Sequence, residues 1–168
     1  MKKIFFLEIF VFFFLSNCNP FAPALDSDYG KKSSGIGDQL TIDGVFQVFR
    51  YSYNYKDTLL YGKLISDEFL FIFRDYEKMI DVAWGRDEDM LITNRMFQNT
   101  QNLDLMWSDI FSSEGDSLSR NVIRYFNLSI TFNPNEVYRI DGKANLTLSR
   151  NSDKDVWKIR TWRDESNF

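Results

Sequence analysis

The sequence predicts an α+β fold for residues 40–168, with N-terminal helices packed on one side of an antiparallel sheet. Three observations carry this. In the first half the apolar residues recur at helical spacing, Ile42, Phe46, Phe49 and Tyr53 being the clearest set. In the second half they alternate, along Val122, Arg124, Phe126, Leu128, Ile130 and Phe132 and again along Tyr138, Ile140, Gly142, Ala144, Leu146 and Leu148. Between these runs stands Asn133-Pro134-Asn135, a turn cluster that makes them a hairpin.

The first helix starts near Gln39 and runs through Tyr53, with Gly44 a mild cost in its interior. Asp57 is placed to cap a short second helix through Leu59, Leu60, Leu64 and Ile65. Phe69-Leu70-Phe71-Ile72-Phe73 is compact and apolar and reads as a buried strand. Tyr76 to Trp84 reads as irregular or briefly helical. Asp87-Glu88-Asp89 places negative charge at the start of a helix through Met90, Leu91 and Phe97, where the macrodipole favours it. That cluster lacks the alternating ligands and turn glycine of a calcium loop, so no metal is expected there. Leu103, Leu105 and Trp107 then alternate, and after the hairpin Asn151-Ser152-Asp153-Lys154 turns the chain into a last strand, Val156 to Arg163. Trp157 and Ile159 share a face of that strand. Trp162 joins them only if a bulge intervenes.

Several of these segments together resemble the nuclear-transport-factor-2-like superfamily, which includes ketosteroid isomerase and polyketide cyclases. The resemblance rests on the opening helix with Phe46, Phe49, Arg50 and Tyr53, and on Tyr55-Lys56-Asp57 leading into Leu59-Leu60-Tyr61. Asp67-Glu68-Phe69 and the closing Trp157-Lys158-Ile159-Arg160-Thr161-Trp162-Arg163-Asp164 complete it. It implies a strongly curved antiparallel sheet wrapped around the helices as a cone with an open pocket. A lipocalin-like barrel is disfavoured, since it needs about eight strands and this chain offers about five.

The N-terminus carries an address. Met1-Lys2-Lys3 is a short positive start, and Ile4 to Leu15 is a nearly unbroken apolar run, interrupted by Glu8. The run is too short to span a bilayer and fits a secretory signal. Leu15-Ser16-Asn17-Cys18 then resembles the lipobox of bacterial lipoproteins, with Asn17 in place of the usual Gly or Ala. That resemblance implies diacylglyceryl transfer to the Cys18 thiol, cleavage before it, and acylation of the new amine. Acyl chains contribute about 0.8 kcal/mol per buried CH₂, so they would anchor the protein without a transmembrane helix. Asn19 rather than Asp after the cysteine favours the outer membrane, by analogy with sorting in enteric bacteria. Residues 18–39 hold two of the three prolines and lack periodic apolar positions, and read as a flexible tether. The expected organisation is thus a signal over 1–17, a lipidated tether over 18–39 and one domain over 40–168.

Composition excludes several chemistries. The chain has no histidine and a single cysteine, which rules out histidine triads, His-ligated zinc and an internal disulfide. A net charge of −4 argues against nucleic acid as a partner. No cofactor is implied. Ketosteroid isomerase pairs a carboxylate base with a tyrosine and a protonated aspartic acid as oxyanion hole. Here Asp67, at a helix-to-strand junction, and Tyr53 are available types without an identifiable catalytic placement. Arg124 falls on the apolar face of its strand, where it either binds an anionic ligand or reaches solvent, Asp109 or Asp104. With Tyr138 and with Trp162 at the rim, these make up the candidate pocket set. The expected function is therefore a lipid-anchored cell-envelope protein whose domain binds an apolar small molecule or an envelope protein without catalysis. The alternative is an isomerase or hydrolase of ketosteroid-isomerase type. A buried carboxylate at hydrogen-bond distance from a tyrosine hydroxyl would favour that alternative; a filled or purely apolar cone would exclude it.

Overall fold

The computed structural model describes residues 36–165; Cys18, the expected signal and most of the expected tether lie outside the described residues. Helix α1 spans Ile42–Asn54, and the Thr41 hydroxyl caps it by accepting from the Gly44 N–H at 3.0 Å. Its buried face contains Phe46, Phe49 and Tyr53 as expected, widened by Val45 and Val48. Lys56, at φ 56°, turns the chain, and the Asp57 carboxylate caps helix α2 (Thr58–Leu64) by accepting from Leu60 N–H at 2.8 Å. Tyr61 and Leu64 point inward from α2. Leu59, expected on that face, is 81% exposed, because Tyr61 and Leu64 three residues apart set the inward side of so short a helix.

The remaining elements are β1 (Ile65–Asp75), β2 (Ile80–Gly85), helix α3 (Arg86–Asn99), β3 (Asn102–Gly115), β4 (Ser119–Asn133), β5 (Glu136–Ser149) and β6 (Lys158–Asp164). The six strands form one sheet in the order β2-β1-β6-β5-β4-β3. It is mixed rather than wholly antiparallel: β1 and β6 run parallel, and every other neighbouring pair is antiparallel. Alternation in a sequence records which face is buried and carries no information about the direction of a distant partner strand. The segment read as irregular, Tyr76 to Trp84, contains β2. Its backbone pairs with β1 from Leu70↔Gly85 to Asp75↔Ile80, although as an edge strand it buries little. In β1 itself Phe69 and Phe71 are buried while Leu70 is exposed, so this strand has one covered face rather than two.

Helices α1 and α3 lie on the same side of the curled sheet, α1 against β3 and α3 against β1. Between them the core gathers Phe49, Tyr61, Leu64, Val122, Leu146 and Ile159, all essentially inaccessible to solvent. The last residues of the expected tether take part in this packing. Ile36 lies against the core, and Gln39 exchanges hydrogen bonds with the Trp157 backbone at 2.9 and 3.3 Å. A Cβ built on Gly44 would fall 1.7 Å from the Asp38 carbonyl oxygen, so this glycine permits the close approach of that segment and is not merely a tolerated weak point of the helix.

The β5–β6 pairing contains the bulge that the tryptophan spacing requires. Leu148 faces Ile159 and Thr147 faces Thr161, which leaves Arg160 as the extra residue and turns Trp162 onto the helix side with Ile159. Trp157 is buried just before β6, under the Arg150 guanidinium at 4.4 Å.

Two outcomes test this packing. Trp157→Ala should cost about 3–5 kcal/mol in urea unfolding, as for other buried aromatics. Gly44→Ala should lower stability by about 1–3 kcal/mol, against the gain that alanine gives in an unobstructed helix. An unchanged midpoint in either variant would contradict the contact assigned to it.

Candidate functional site

A cavity of about 180 Å³ opens between the curled sheet and the two longer helices. Its walls are mostly aromatic. Phe49 and Tyr53 come from α1, Phe71 and Trp84 from β1 and β2, Trp107 from β3, Phe126 from β4 and Trp162 from β6. Leu128, Ile130 and Ile140 extend the wall along the β4–β5 hairpin, and Ile92 and Met96 of α3 face them. The rings brace one another. Trp84 stacks on Phe71 at 4.5 Å, while Trp162 meets Phe71 and Phe49 edge-on at 5.0 and 5.3 Å.

One end of this cavity is polar. Asp89, in the first turn of α3, is only 4% exposed and accepts from Tyr61 Oη at 2.7 Å and from Trp84 Nε1 at 3.0 Å. Burial pushes its carboxyl pKa up, while the Trp84 and Tyr61 hydrogen bonds and the Arg86 charge oppose the rise. The N-terminal end of α3 also favours the ionised form. The Tyr53 hydroxyl lies beside those of Tyr61 and Thr93, and burial followed by the Asp89 charge drives the Tyr53 pKa far above the ordinary phenol value. Tyr61 is raised likewise, chiefly by burial. Both phenols therefore stay neutral, and Tyr61 donates its proton to Asp89. Because each Asp89 oxygen is already held by a fixed protein donor, the carboxylate is oriented, yet each oxygen keeps a second lone pair for a ligand.

The structure brings together two of the five residues expected at the pocket. Tyr53 and Trp162 line it. Trp162 sits deeper than the rim position expected for it, since its Nε1 is buried without a hydrogen-bond partner among the described residues. Asp67 is on the outer surface, its side chain 93% exposed and 3.8 Å from Arg86, because the α2–β1 junction turns it away from the sheet's inner face. Tyr138 is 54% exposed near the β4–β5 tip, where it packs on Phe132 at 5.7 Å beyond the reach of the helices. Arg124 borders a separate shallow cleft with Asp43, Gln47 and Arg50. There it spans the Phe46 ring at 4.8 Å, bonds the Ser108 carbonyl and pairs with Asp43 at 3.3 Å. Its carboxylate partner thus comes from α1, and neither Asp104 nor Asp109 is paired with it.

Asp89, Trp84 and Asp164 also line the pocket and were not expected there. A signal for Asp89 existed: Asp89, Thr93 and Phe97 recur every four residues and form the inward stripe of α3. Asp87 and Glu88 beside it made the trio read as a helix start.

No family model and no curated protein sequence matches the chain. Solved structures do match its fold. A conserved protein from Planctomyces limnophilus superimposes with TM-score 0.66 at 14% identity, covering 77% of this chain and 96% of that one. A hexachlorocyclohexane dehydrochlorinase gives 0.61 at 11% identity, with 76% and 83% covered. A nuclear-transport-factor-2-like protein of unknown function in nutrient uptake from Rhodospirillum rubrum gives 0.61 at 12% identity, with 76% and 99% covered. The fold is therefore nuclear-transport-factor-2-like, and proteins of this shape include both enzymes and proteins without a known activity.

The raised pKa of Asp89 has a sign that can be measured. The folded state holds this proton more tightly than the unfolded chain does. Its contribution to stability is complete below the ordinary carboxyl value of 3.8 and is lost as pH rises through the raised value. Asp89→Asn should thus gain stability relative to the unmodified chain as the pH rises above 3.8, read as the difference of urea midpoints. A difference that stays constant over this range would contradict a desolvated carboxylate at residue 89.

Proposed function

We propose that the chain is a lipid-anchored protein of the bacterial cell envelope whose cone binds a small, mainly apolar molecule about the size of one substituted ring, without turning it over. The observation that carries the binding part is the open aromatic cavity. Its 180 Å³ compares with the roughly 150 Å³ that suffices for benzene in an engineered apolar site. Mostly apolar walls with a few convergent polar groups are the usual make-up of a ligand pocket. Binding is put before catalysis because the lining is mostly apolar and each Asp89 oxygen already accepts a hydrogen bond from the protein, from Tyr61 and from Trp84. The anchoring part rests on Leu15-Ser16-Asn17-Cys18 and the apolar run before it, with the membrane as partner through lipid and the outer membrane as destination.

A second reading has one observation in its favour. Asp89 meets a tyrosine hydroxyl at 2.7 Å, and Asp164 and Tyr53 line the same pocket, which are the residue types of a ketosteroid-isomerase-like proton transfer. Under the binding reading, a cyclic β,γ-unsaturated ketone incubated with the protein shows no conversion to its conjugated isomer by ultraviolet absorbance. Catalysed conversion that is lost in Tyr53→Phe would establish the enzyme reading instead.

For the pocket, fluorobenzene followed by fluorine NMR should bind the protein saturably. Ile92→Trp, at the partly exposed α3 edge of the cavity, should weaken that binding at least about tenfold while leaving the unfolding midpoint close to unchanged. Equal binding by the variant would place the ligand elsewhere. For the anchor, cells fed an alkyne fatty acid should label the protein, and Cys18→Ser should abolish the label; equal labelling of the variant would refute lipidation at this residue.

A further inference from the structure

We propose a second binding site outside the cone: the cleft between α1 and the Arg124 side chain of β4 takes an oxyanion, the carboxylate or phosphate group of a small soluble molecule. The site goes beyond the ligand-binding reading of the cone and does not rest on it. The cleft holds about 210 Å³ and is bordered by Asp43, Gln47 and Arg50 of α1, by Arg124, and by the Phe46 and Trp107 rings. Asp43, Phe46, Gln47 and Arg50 stand at i, i+3, i+4 and i+7 and so share one face of the helix.

The first observation is the charge. Two guanidiniums and one carboxylate border the cleft, a positive excess on a chain whose net charge is −4. Two other surface clefts, one along β3–β5 and one at the start of β1, are lined by more carboxylates than basic side chains. Like charges placed on one cleft repel each other, and an anion between them replaces that repulsion by two attractions. A cation would be repelled, and a neutral molecule would leave the guanidiniums as they are.

The second observation is how each guanidinium is held. The Arg124 side chain is only 15% exposed; its Nε donates to the Ser108 carbonyl, and its guanidinium lies over the Phe46 ring at 4.8 Å. These contacts fix the fork before a ligand arrives, which lowers the ordering cost of binding. Arg50 is the opposite case. It is exposed on α1 and makes no hydrogen bond or ion pair among the described residues, so its whole planar fork is available. The Gln47 amide, exposed beside it, adds a neutral donor.

The third observation is Asp43. Its carboxylate already sits 3.3 Å from Arg124 Nη1, so the fork accepts an oxyanion in this position. The Asp43 side chain is 69% exposed, and a pair so open to water is weak and exchangeable. A ligand carboxylate or phosphate that also reaches Arg50 gains a contact that Asp43 does not make.

The test titrates acetate and inorganic phosphate separately into the protein at constant ionic strength, with chloride as the balancing anion, and follows the arginine Nε–H signals by NMR. At least one oxyanion should shift the Arg50 and Arg124 signals saturably and at least about tenfold more tightly than chloride does. The tighter of the two tells a carboxylate ligand from a phosphate one. Arg50→Gln should weaken that binding at least about fivefold and leave the urea midpoint close to unchanged, since the side chain is exposed. Arg124→Gln should weaken it as well if it folds, and Arg50→Gln keeps the test open if it does not. Asp43→Asn should tighten binding, because it removes the competing carboxylate. Ile92→Trp, which obstructs the cone, should leave the oxyanion affinity as it was. An equal response to chloride, an affinity unchanged in Arg50→Gln, or weaker binding in Asp43→Asn overturns the site. Loss of binding in Ile92→Trp places the anion in the cone and overturns it too. Failure of this site leaves the aromatic ligand of the cone standing, since its fluorobenzene probe carries no charge.

Discussion

The Asp89 carboxylate is the fixed point from which the site is built. It stands in the first turn of α3, takes the Tyr61 hydroxyl from α2 on one oxygen and the Trp84 indole from β2 on the other, and so ties three elements at one place. Buried hydrogen bonds to a charged group are worth about 1.5–3 kcal/mol each, and removing a donor leaves the charge short of partners. The consequences spread through the rings. Trp84, fixed by its N–H, stacks on Phe71, Phe71 meets Trp162, and Trp162 meets Phe49 of α1. A cavity survives in a close-packed protein only when its walls resist collapse, and here Trp84 is held by its N–H as well as by packing.

The sheet supplies the other half of the cone. The parallel seam between β1 and β6 brings residues from opposite ends of the domain side by side, with Phe71 paired to Trp162. The bulge at Arg160 then sets the facing of the last strand, so that Trp162 and Asp164 both reach the cavity. Without that extra residue strict alternation from Ile159 would turn both side chains to the outer surface. One irregular residue in β6 thus decides which side chains the last strand contributes to the pocket.

Much of this was legible in the sequence. The spacing Phe46, Phe49, Tyr53 located the inward face of α1, Asp57 announced the start of α2, and the Trp157, Ile159, Trp162 pattern required a bulge that the structure contains. The strand order was not legible, because a buried face constrains period and leaves direction free; hence the parallel β1–β6 pair. Strand β2 was missed because an edge strand is stabilised by backbone pairing more than by burial. Asp67, Arg124 and Tyr138 were credible from residue type, but each belongs to a junction, a surface cleft or a hairpin tip whose position only the tertiary fold determines. Asp89 was hidden by its neighbours, since three acidic residues in a row satisfy the helix-start rule before any one of them is asked where it points.

The direct measurement of the account is the titration of the Asp89 carboxyl carbon by NMR in the folded protein, assigned by its loss in Asp89→Asn. A buried carboxylate with neutral donors and no ion pair should titrate above the ordinary carboxyl value of 3.8. Titration at or below that value would mean that Asp89 is solvated or paired with a cation of the protein, and the site as described here would not exist.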